Sequence, residues 1–267
     1  MNYHDERQKN KIFFGFREVI EIKEISLNTY ILEVSLSPEL AGSAPGQFVY
    51  IMPKVQKRIL LPRPLCIVDV DKNSLKMIFK VKGRGTGYLA EVRKGENLSL
   101  MGPLGKGFET ITAPSVLVGG GLGVSPLYLL AKKLNSEFGD KGVKAIIGFK
   151  NKAEAFYVEK FGSLMSNVLV CSDDGSLGEK GNVVEILEKN FNGEKVVYAC
   201  GPRPMLKAVS VFTLGKDAKL FVSLEERMGC GMGACLGCVA KIKTENGEEY
   251  LRVCKEGPVF DGHKVVY

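Results

Sequence analysis

The chain has 267 residues, 45% of them hydrophobic and 25% charged, which is enough to build two cores plus a small appendage. Its formal charge of +7 is spread through strand and helix patterns without a basic block, so nucleic acid is not an expected partner. No apolar run approaches bilayer length, and the opening "MNYHDERQKNK" is too polar for the core of a secretory signal, so a cytoplasmic protein with no membrane partner is expected.

The first hundred or so residues read as many short strands. "FREVIEIKEI", "TYILEVSL", "GQFVYIMP", "LCIVDV", "SLKMIFKVK" and "NLSLMGPLG" cluster β-formers between Gly, Pro, Asn and Asp. Strands so short and so numerous predict a closed antiparallel barrel. From "SVLVGGGLG" onward, strands ("KAIIGFK", "NVLVCSD", "KVVYACGP") alternate with helices ("SPLYLLAKKL", "NVVEILEKNF", "RPMLKAVSVFTL"), the pattern of a doubly wound parallel sheet. A hairpin in "VAKIKTENGEEYLRVC", with Asn246-Gly247 as its expected turn, follows near the end. The fold class is therefore α+β and multidomain. Its expected units are a β-barrel (1–110), an α/β domain (111–220) and a small β-rich C-terminal domain (221–267).

Seven cysteines, an odd number with four crowded near the end, point to reduced thiols and not to a disulfide framework. Cys230, Cys235, Cys238 and Cys254 follow C-x4-C-x2-C and a distant C, the spacing of plant-type [2Fe–2S] ligation. Zinc is the alternative, but zinc ribbons usually present two C-x2-C pairs, and here only Cys235 and Cys238 form one. Glycines 229, 231, 233 and 237 suit a loop that winds tightly around a cluster.

Two glycine-rich segments suggest what supplies electrons to such a centre. In "SVLVGGGLGVSP" an apolar strand meets a glycine turn, with Ser125 as expected N-cap and Pro126 as first helical residue. A pyrophosphate can approach such a turn and sit at the helix N-terminus. Pro126 stands where the full dinucleotide fingerprint has glycine, so alone the motif is equally a structural turn. "YACGPRPML" closes a later strand, where open α/β sheets gather ligands, although Cys200 in isolation reads as a buried small thiol. Only two histidines exist, His4 and His263, so a histidine-centred catalytic site has little material and no catalytic side chain is assigned.

"RPLC" at 63–66 resembles the Arg-x-x-Ser/Thr signature of ferredoxin-reductase-like flavoproteins, and "GGGLGVSP" and "CGPRPM" resemble that superfamily's pyridine-nucleotide motifs, in the expected order. With "SLEERMGCGMGACLGC" added, essentially the whole chain resembles the electron-transfer subunits of type B, NAD-linked dihydroorotate dehydrogenases. The resemblance implies FAD on the barrel, NAD(H) on the α/β domain and a [2Fe–2S] cluster on the last. It places Arg63 near the FAD phosphates and Cys66, with Pro64 and Leu65, along the flavin. It also implicates Ile78, Phe79, Lys80, Gly85 and Thr86 in gripping FAD, although Lys80 and Lys82 by themselves read as solvated face residues. Gly119, Gly120, Gly121 and Gly123, with Cys200, Gly201 and Pro202, map onto the nicotinamide nucleotide's path. Asp173 and Asp174 line that cleft or else form an Asp-Gly turn. The resemblance implies NAD over NADP, although Lys150 and Lys152, just after "KAIIGF", could meet a ribose phosphate. The implied partner is an FMN-containing catalytic subunit of pyrimidine biosynthesis, in a heterotetramer of two such pairs. Rival readings are a subunit of an NAD(P)H-dependent ferredoxin reductase or a sulfide dehydrogenase, and, from another class, a zinc-stabilised binding module.

Overall fold

The computed structural model describes residues 12–52, 59–139 and 142–267; His4 and the chain's opening lie outside them. Six strands, β1 (Phe13–Ser26), β2 (Thr29–Ser35), β3 (Phe48–Met52), β4 (Arg63–Val70), β5 (Ser74–Lys80) and β6 (Asn97–Leu104), close into an antiparallel barrel in the order β1-β2-β5-β4-β3-β6. Closure leaves no edge strand open to aggregation. Register shifts in β1, β3 and β4 supply the bends that closure needs. The barrel is filled by Val19, Leu32, Val49, Ile51, Ile67, Met77, Phe79, Leu98 and their neighbours. Two short helices, α1 (Pro38–Ala41) and α2 (Arg84–Ala90), join strands at its ends.

Strands β7 (Ser115–Gly120), β8 (Val143–Phe149), β9 (Val168–Ser172), β10 (Glu179–Lys180), β11 (Val196–Cys200) and β12 (Lys219–Ser223) then form a parallel sheet in the order β10-β9-β8-β7-β11-β12. Helices α3 (Val124–Phe138), α4 (Val158–Leu164), α5 (Val183–Asn190) and α6 (Arg203–Thr213) connect them. Chain order reverses between β7 and β11, so the crevice of the sheet opens where Gly119–Gly123 and Cys200–Pro202 end their strands. The helix after β7 begins earlier than its sequence suggests. Gly121–Gly123 form a 3-10 turn that runs straight into α3, so Ser125 bonds back to Leu122 O at 2.8 Å instead of capping, and Pro126 sits inside the first turn. Proline is tolerated there because the first-turn N–H groups lack helical partners anyway.

At the C-terminus β13 (Val239–Thr244) and β14 (Gly247–Arg252) make the expected hairpin. Thr244 pairs with Gly247, so the two-residue turn is Glu245-Asn246, one residue before the expected Asn246-Gly247. Gly247, at φ +114, opens the returning strand. The last strand, β15 (Val259–Asp261), adds antiparallel to β12 at the edge of the large sheet. Strand β12 therefore spans the position, 220, at which the sequence suggested a boundary, and the C-terminal segment is stitched into the central sheet. One apolar core runs through all three parts, from Phe48 and Tyr50 of the barrel through Val118, Ala199 and Val222 of the sheet to Cys238 and Cys254.

Candidate functional site: two clefts and a four-cysteine loop

Two clefts and one loop collect nearly all of the residues singled out by sequence. The first cleft lies between barrel and sheet and is lined by Pro64, Leu65, Cys66, Ile78, Phe79, Lys80, Lys82 and Thr86. Its apolar walls and basic rim suit a flat aromatic ring system joined to phosphates. Arg63 stands beside it: its guanidinium covers Gly85, where an added Cβ would fall 2.0 Å from Arg63 Nε, and Nη1 donates to Leu61 O at 2.7 Å and Pro62 O at 3.1 Å. Only glycine leaves room for that arginine. Thr86 Oγ1 accepts from Lys82 N at 2.9 Å and shapes the turn into α2. Lys80 does more than face solvent. Its Nζ donates to Glu154 Oε2 at 2.6 Å, and Glu154 belongs to the wall of the second cleft.

That second cleft lies over the crevice of the sheet and is lined by Gly120, Gly121, Gly148, Phe149, Lys150, Glu154, Asp173, Pro202 and Met205. Gly121 takes φ +55 with open space where a Cβ would project, so its backbone is bare to a ligand at the head of the long helix α3. Gly119 and Gly123 are structural: Gly119 pairs with Cys200 across β7 and β11, and a Cβ on Gly123 would fall 2.3 Å from Cys200 O. Gly201, at φ +159, packs under Met205. The neighbouring aspartates divide the two roles open to them. Asp173 lines the cleft, whereas Asp174 accepts from Ser176 N at 2.9 Å and forms the turn. Lys150 lines the cleft too, while Lys152 donates its backbone N–H to Ser176 Oγ at 2.8 Å. His263 lies at the other end of the sheet, 2.9 Å from Thr213 Oγ1.

Beside the first cleft lies a cluster of side chains that the sequence only partly marked. Burial pushes the Cys66 thiol up to about 12, with the Glu225 carboxylate adding to it. Burial likewise holds the Cys200 thiol well above its ordinary value, with Cys66 and then Glu225 contributing, while a hydrogen bond from Ser223 works the other way. Both thiols are thus neutral at physiological pH. Ser223, Leu224 and Glu225 follow the last parallel strand and line the first cleft. They open the run "SLEERMGCGMGACLGC" but carry no individual role in the sequence, because nothing local distinguishes "VSLEE" from an ordinary strand end.

Beyond these side chains the four terminal cysteines come together. Ala234 N and Cys235 N donate to Cys230 Sγ at 3.2 and 3.4 Å, and Cys254 N donates to Cys238 Sγ at 3.4 Å. Thiol hydrogen bonds couple Cys230 with Cys235 and Cys254 with Cys238. Burial opposes ionisation of Cys230, yet the backbone N–H groups of Met232, Cys235 and Ala234 bring it down to about 6. Burial and then Cys238 push Cys254 up to about 12. Among the described residues no three His, Cys, Asp or Glu side chains are drawn around one point as for a single ion. Two thiol pairs with N–H groups aimed at sulfur are instead the donor set that a two-iron cluster takes, two thiolates to each iron. Arg252 braces the loop, donating to Gly233 O at 2.9 Å and to Glu256 Oε2 at 2.9 Å.

Comparison with known proteins decides the family. Residues 225–266 match the model of the iron-sulfur cluster binding domain of dihydroorotate dehydrogenase B. The dihydroorotate dehydrogenase B (NAD(+)) electron transfer subunit of Lysinibacillus sphaericus is 41% identical over 251 residues, 91% of this chain and 94% of that one. The chain belongs to the family of dihydroorotate dehydrogenase B (NAD(+)) electron transfer subunits. The member from Caldanaerobacter subterraneus is 40% identical over 84% of this chain and 87% of its own. Among solved structures, an NADH-dependent reduced ferredoxin-NADP oxidoreductase studied for flavin-based electron bifurcation superposes with a TM-score of 0.82 at 27% identity, covering 94% of this chain and 90% of that one. A ferredoxin reductase of carbazole 1,9a-dioxygenase shares the fold at a TM-score of 0.66 and 22% identity, over 78% and 67%. In this chain the barrel, the nucleotide-type sheet and the cysteine loop pack on one core.

Proposed function

We propose that this chain relays electrons between NAD(H), FAD and a [2Fe–2S] cluster, to and from an FMN-containing dihydroorotate dehydrogenase catalytic subunit in the cytoplasm, serving pyrimidine biosynthesis. The observation that carries this reading is that the four-cysteine loop shares one core with Phe48, a wall residue of the first cleft, while Lys80 of that cleft pairs with Glu154 of the second. The functional units are the barrel at 1–110, the nucleotide domain at 111–220 and the cluster domain at 221–267, sharing strand β12 at their junction.

A flavin supplies what neither a nicotinamide nor a two-iron cluster has: it takes electrons as a pair and releases them singly. The protein's own groups set the stage for that exchange. Arg63, Lys80, Lys82 and Thr86 hold the FAD phosphates and ribityl chain, with Arg63 suited by its two parallel donors. Pro64, Leu65, Cys66, Ile78 and Phe79 flank the ring. Gly121, whose backbone is open to the cleft, brings the head of α3 to the dinucleotide pyrophosphate with Gly120 beside it, and Pro202 and Gly201 bound the nicotinamide side. Asp173 offers a carboxylate that accepts hydrogen bonds from a ribose diol and repels a ribose phosphate, which favours NAD(H). Neutral Cys66 and Cys200 lie beside the first cleft without adding charge beside a transferring hydride, and Glu225 supplies a carboxylate next to them. Cys230, Cys235, Cys238 and Cys254 ligate the cluster.

Co-expression with the FMN subunit tests the proposal. A complex of two chains of each kind should form, with flavin, iron and acid-labile sulfide, and should reduce NAD(+) with dihydroorotate. A purified protein with zinc and no sulfide, or a stable active complex with a different oxidoreductase, overturns it.

A further inference from the structure

Tyr50 stands in the barrel wall, and no motif marks it. It lies in β3, opposite Pro64 of β4 and Met101 of β6. Its side chain is fully buried at 0% exposure, yet its hydroxyl has no hydrogen-bond partner in the protein. Buried hydroxyls are almost always paired, because one left bare forfeits its hydration without return. What surrounds this one is the cysteine loop. A Cβ on Gly231, the residue after Cys230, would fall 3.1 Å from the Tyr50 ring, so the loop lies directly against the ring because it carries glycine there. Tyr50 packs in the same core cluster as two of the four cysteines, Cys238 and Cys254. The ring also meets Phe48 edge-on, centroids 6.3 Å apart, and Phe48 lines the first cleft.

We propose that the Tyr50 hydroxyl donates a hydrogen bond to a sulfur of the [2Fe–2S] cluster held by Cys230, Cys235, Cys238 and Cys254, and thereby raises the cluster's reduction potential. The inference rests on the cluster reading of the loop. A phenol is a good donor, and sulfur bound to iron is a weak acceptor that strengthens as negative charge accumulates on it. Reduction adds one electron to the centre, so the bond is stronger in the reduced state. A donor of this kind therefore shifts the one-electron equilibrium towards reduction, with no proton transferred and no bond broken. Tyr50 acts here as a positioning and tuning residue, seated between the cleft that supplies electrons and the loop that receives them.

The experiment uses the full chain in complex with its catalytic subunit, with the cluster followed by electron paramagnetic resonance during a redox titration. Tyr50→Phe removes the hydroxyl and keeps the ring. Iron and sulfide content should stay at the wild-type level, while the midpoint falls so that the variant is up to about tenfold less reduced at the potential where the wild type is half reduced, a tenfold change being 59 mV for a one-electron couple. A second measurement needs no variant: in the wild-type protein, exchange into deuterium oxide should alter the proton hyperfine coupling of the reduced cluster, and the altered coupling should report a hydroxyl donor. A full cluster with an unchanged midpoint in Tyr50→Phe, or with no exchangeable coupling beyond that of backbone amides, overturns the role of Tyr50 and leaves the cluster reading intact. Wild-type protein without iron and sulfide overturns both.

Discussion

Gly123→Ala puts the nucleotide reading under the most direct strain. An ideal Cβ at this position falls 2.3 Å from Cys200 O, 2.4 Å from Cys200 C and 2.6 Å from Gly201 N, against ordinary contact from 3.4 Å outward. All three neighbours are backbone, so no side chain can swing aside. Relief requires the turn after β7 to withdraw from the end of β11 by about 1 Å, and overpacking of this kind costs roughly 1–3 kcal/mol. The withdrawal would carry Gly120 and Gly121 away from Pro202, opening the second cleft at its narrowest point. Displacing a binding group by about 1 Å can cost roughly a hundredfold in rate. Stopped-flow reduction of the bound flavin by NADH measures this. The apparent KM for NADH should rise by roughly tenfold or more, while flavin and cluster stay bound, because the Cβ is directed at the end of β11 and the walls of the first cleft are mostly barrel residues, Leu122 and Ser125 excepted. An unchanged KM in folded protein, or loss of flavin with NADH binding preserved, would refute the assignment of the second cleft to the dinucleotide.

The Lys80–Glu154 pair joins the walls of the two clefts, and two unit charges about 3 Å apart attract by roughly 5 kcal/mol at an effective dielectric constant of about 20. Solvent access and side-chain entropy reduce the net coupling to about 1 kcal/mol. Lys80→Met should therefore raise the KM for NADH about fivefold, by leaving a bare carboxylate facing the pyrophosphate, and adding Glu154→Gln should restore it; additivity in the double-mutant cycle refutes the coupling. Cys66→Ser should speed flavin reduction by NADH, since a hydroxyl is the stronger donor. Because the folded thiol titrates only at about 12, it is protonated throughout the neutral range, and the wild-type and Cys66→Ser pH–rate profiles should have the same shape below about pH 9. A profile limb present only in the wild type counts against a neutral thiol. Cys254→Ser should abolish bound iron and sulfide and electron transfer to the catalytic subunit while NADH still reduces the flavin. Retention of a full cluster removes Cys254 from the ligand set.

Much of this molecule is legible in the sequence where local physics is decisive. Short runs of β-formers bounded by turn residues gave away all six barrel strands, and thiol spacing marked the four cysteines, because both signals act over a few residues. Long-range adjacency is where legibility stops. The run "KLFVS" of β12 carries no alternation, and "VFD" of β15 is too short to announce itself, so the sheet edge that ties the C-terminus to the middle of the chain was not foreseen. Tyr50 stands in a strand buried along nearly its whole length, where period-2 patterning cannot tell which face meets another unit. Ser223 and Glu225 acquire meaning only beside Cys66 and Cys200, residues far away in the chain. The Asn-Gly signal was real but shifted: Gly247 supplies its positive φ as the first residue of β14, leaving Glu245-Asn246 to turn.

The antiparallel pairing of β12 with β15 makes the cluster segment, topologically, one very long hairpin loop, residues 224–258, returning to the strand it left. Closing a loop of that length carries an entropic cost that its own small hairpin does little to offset. Iron and sulfide bound across Cys230 and Cys254 would clamp the two ends of the excursion together. Assembly of the metal centre would then also be the last step in completing the edge of the nucleotide sheet, so a chain that has not yet received its cluster should be recognisable by enhanced amide exchange along Phe221–Ser223.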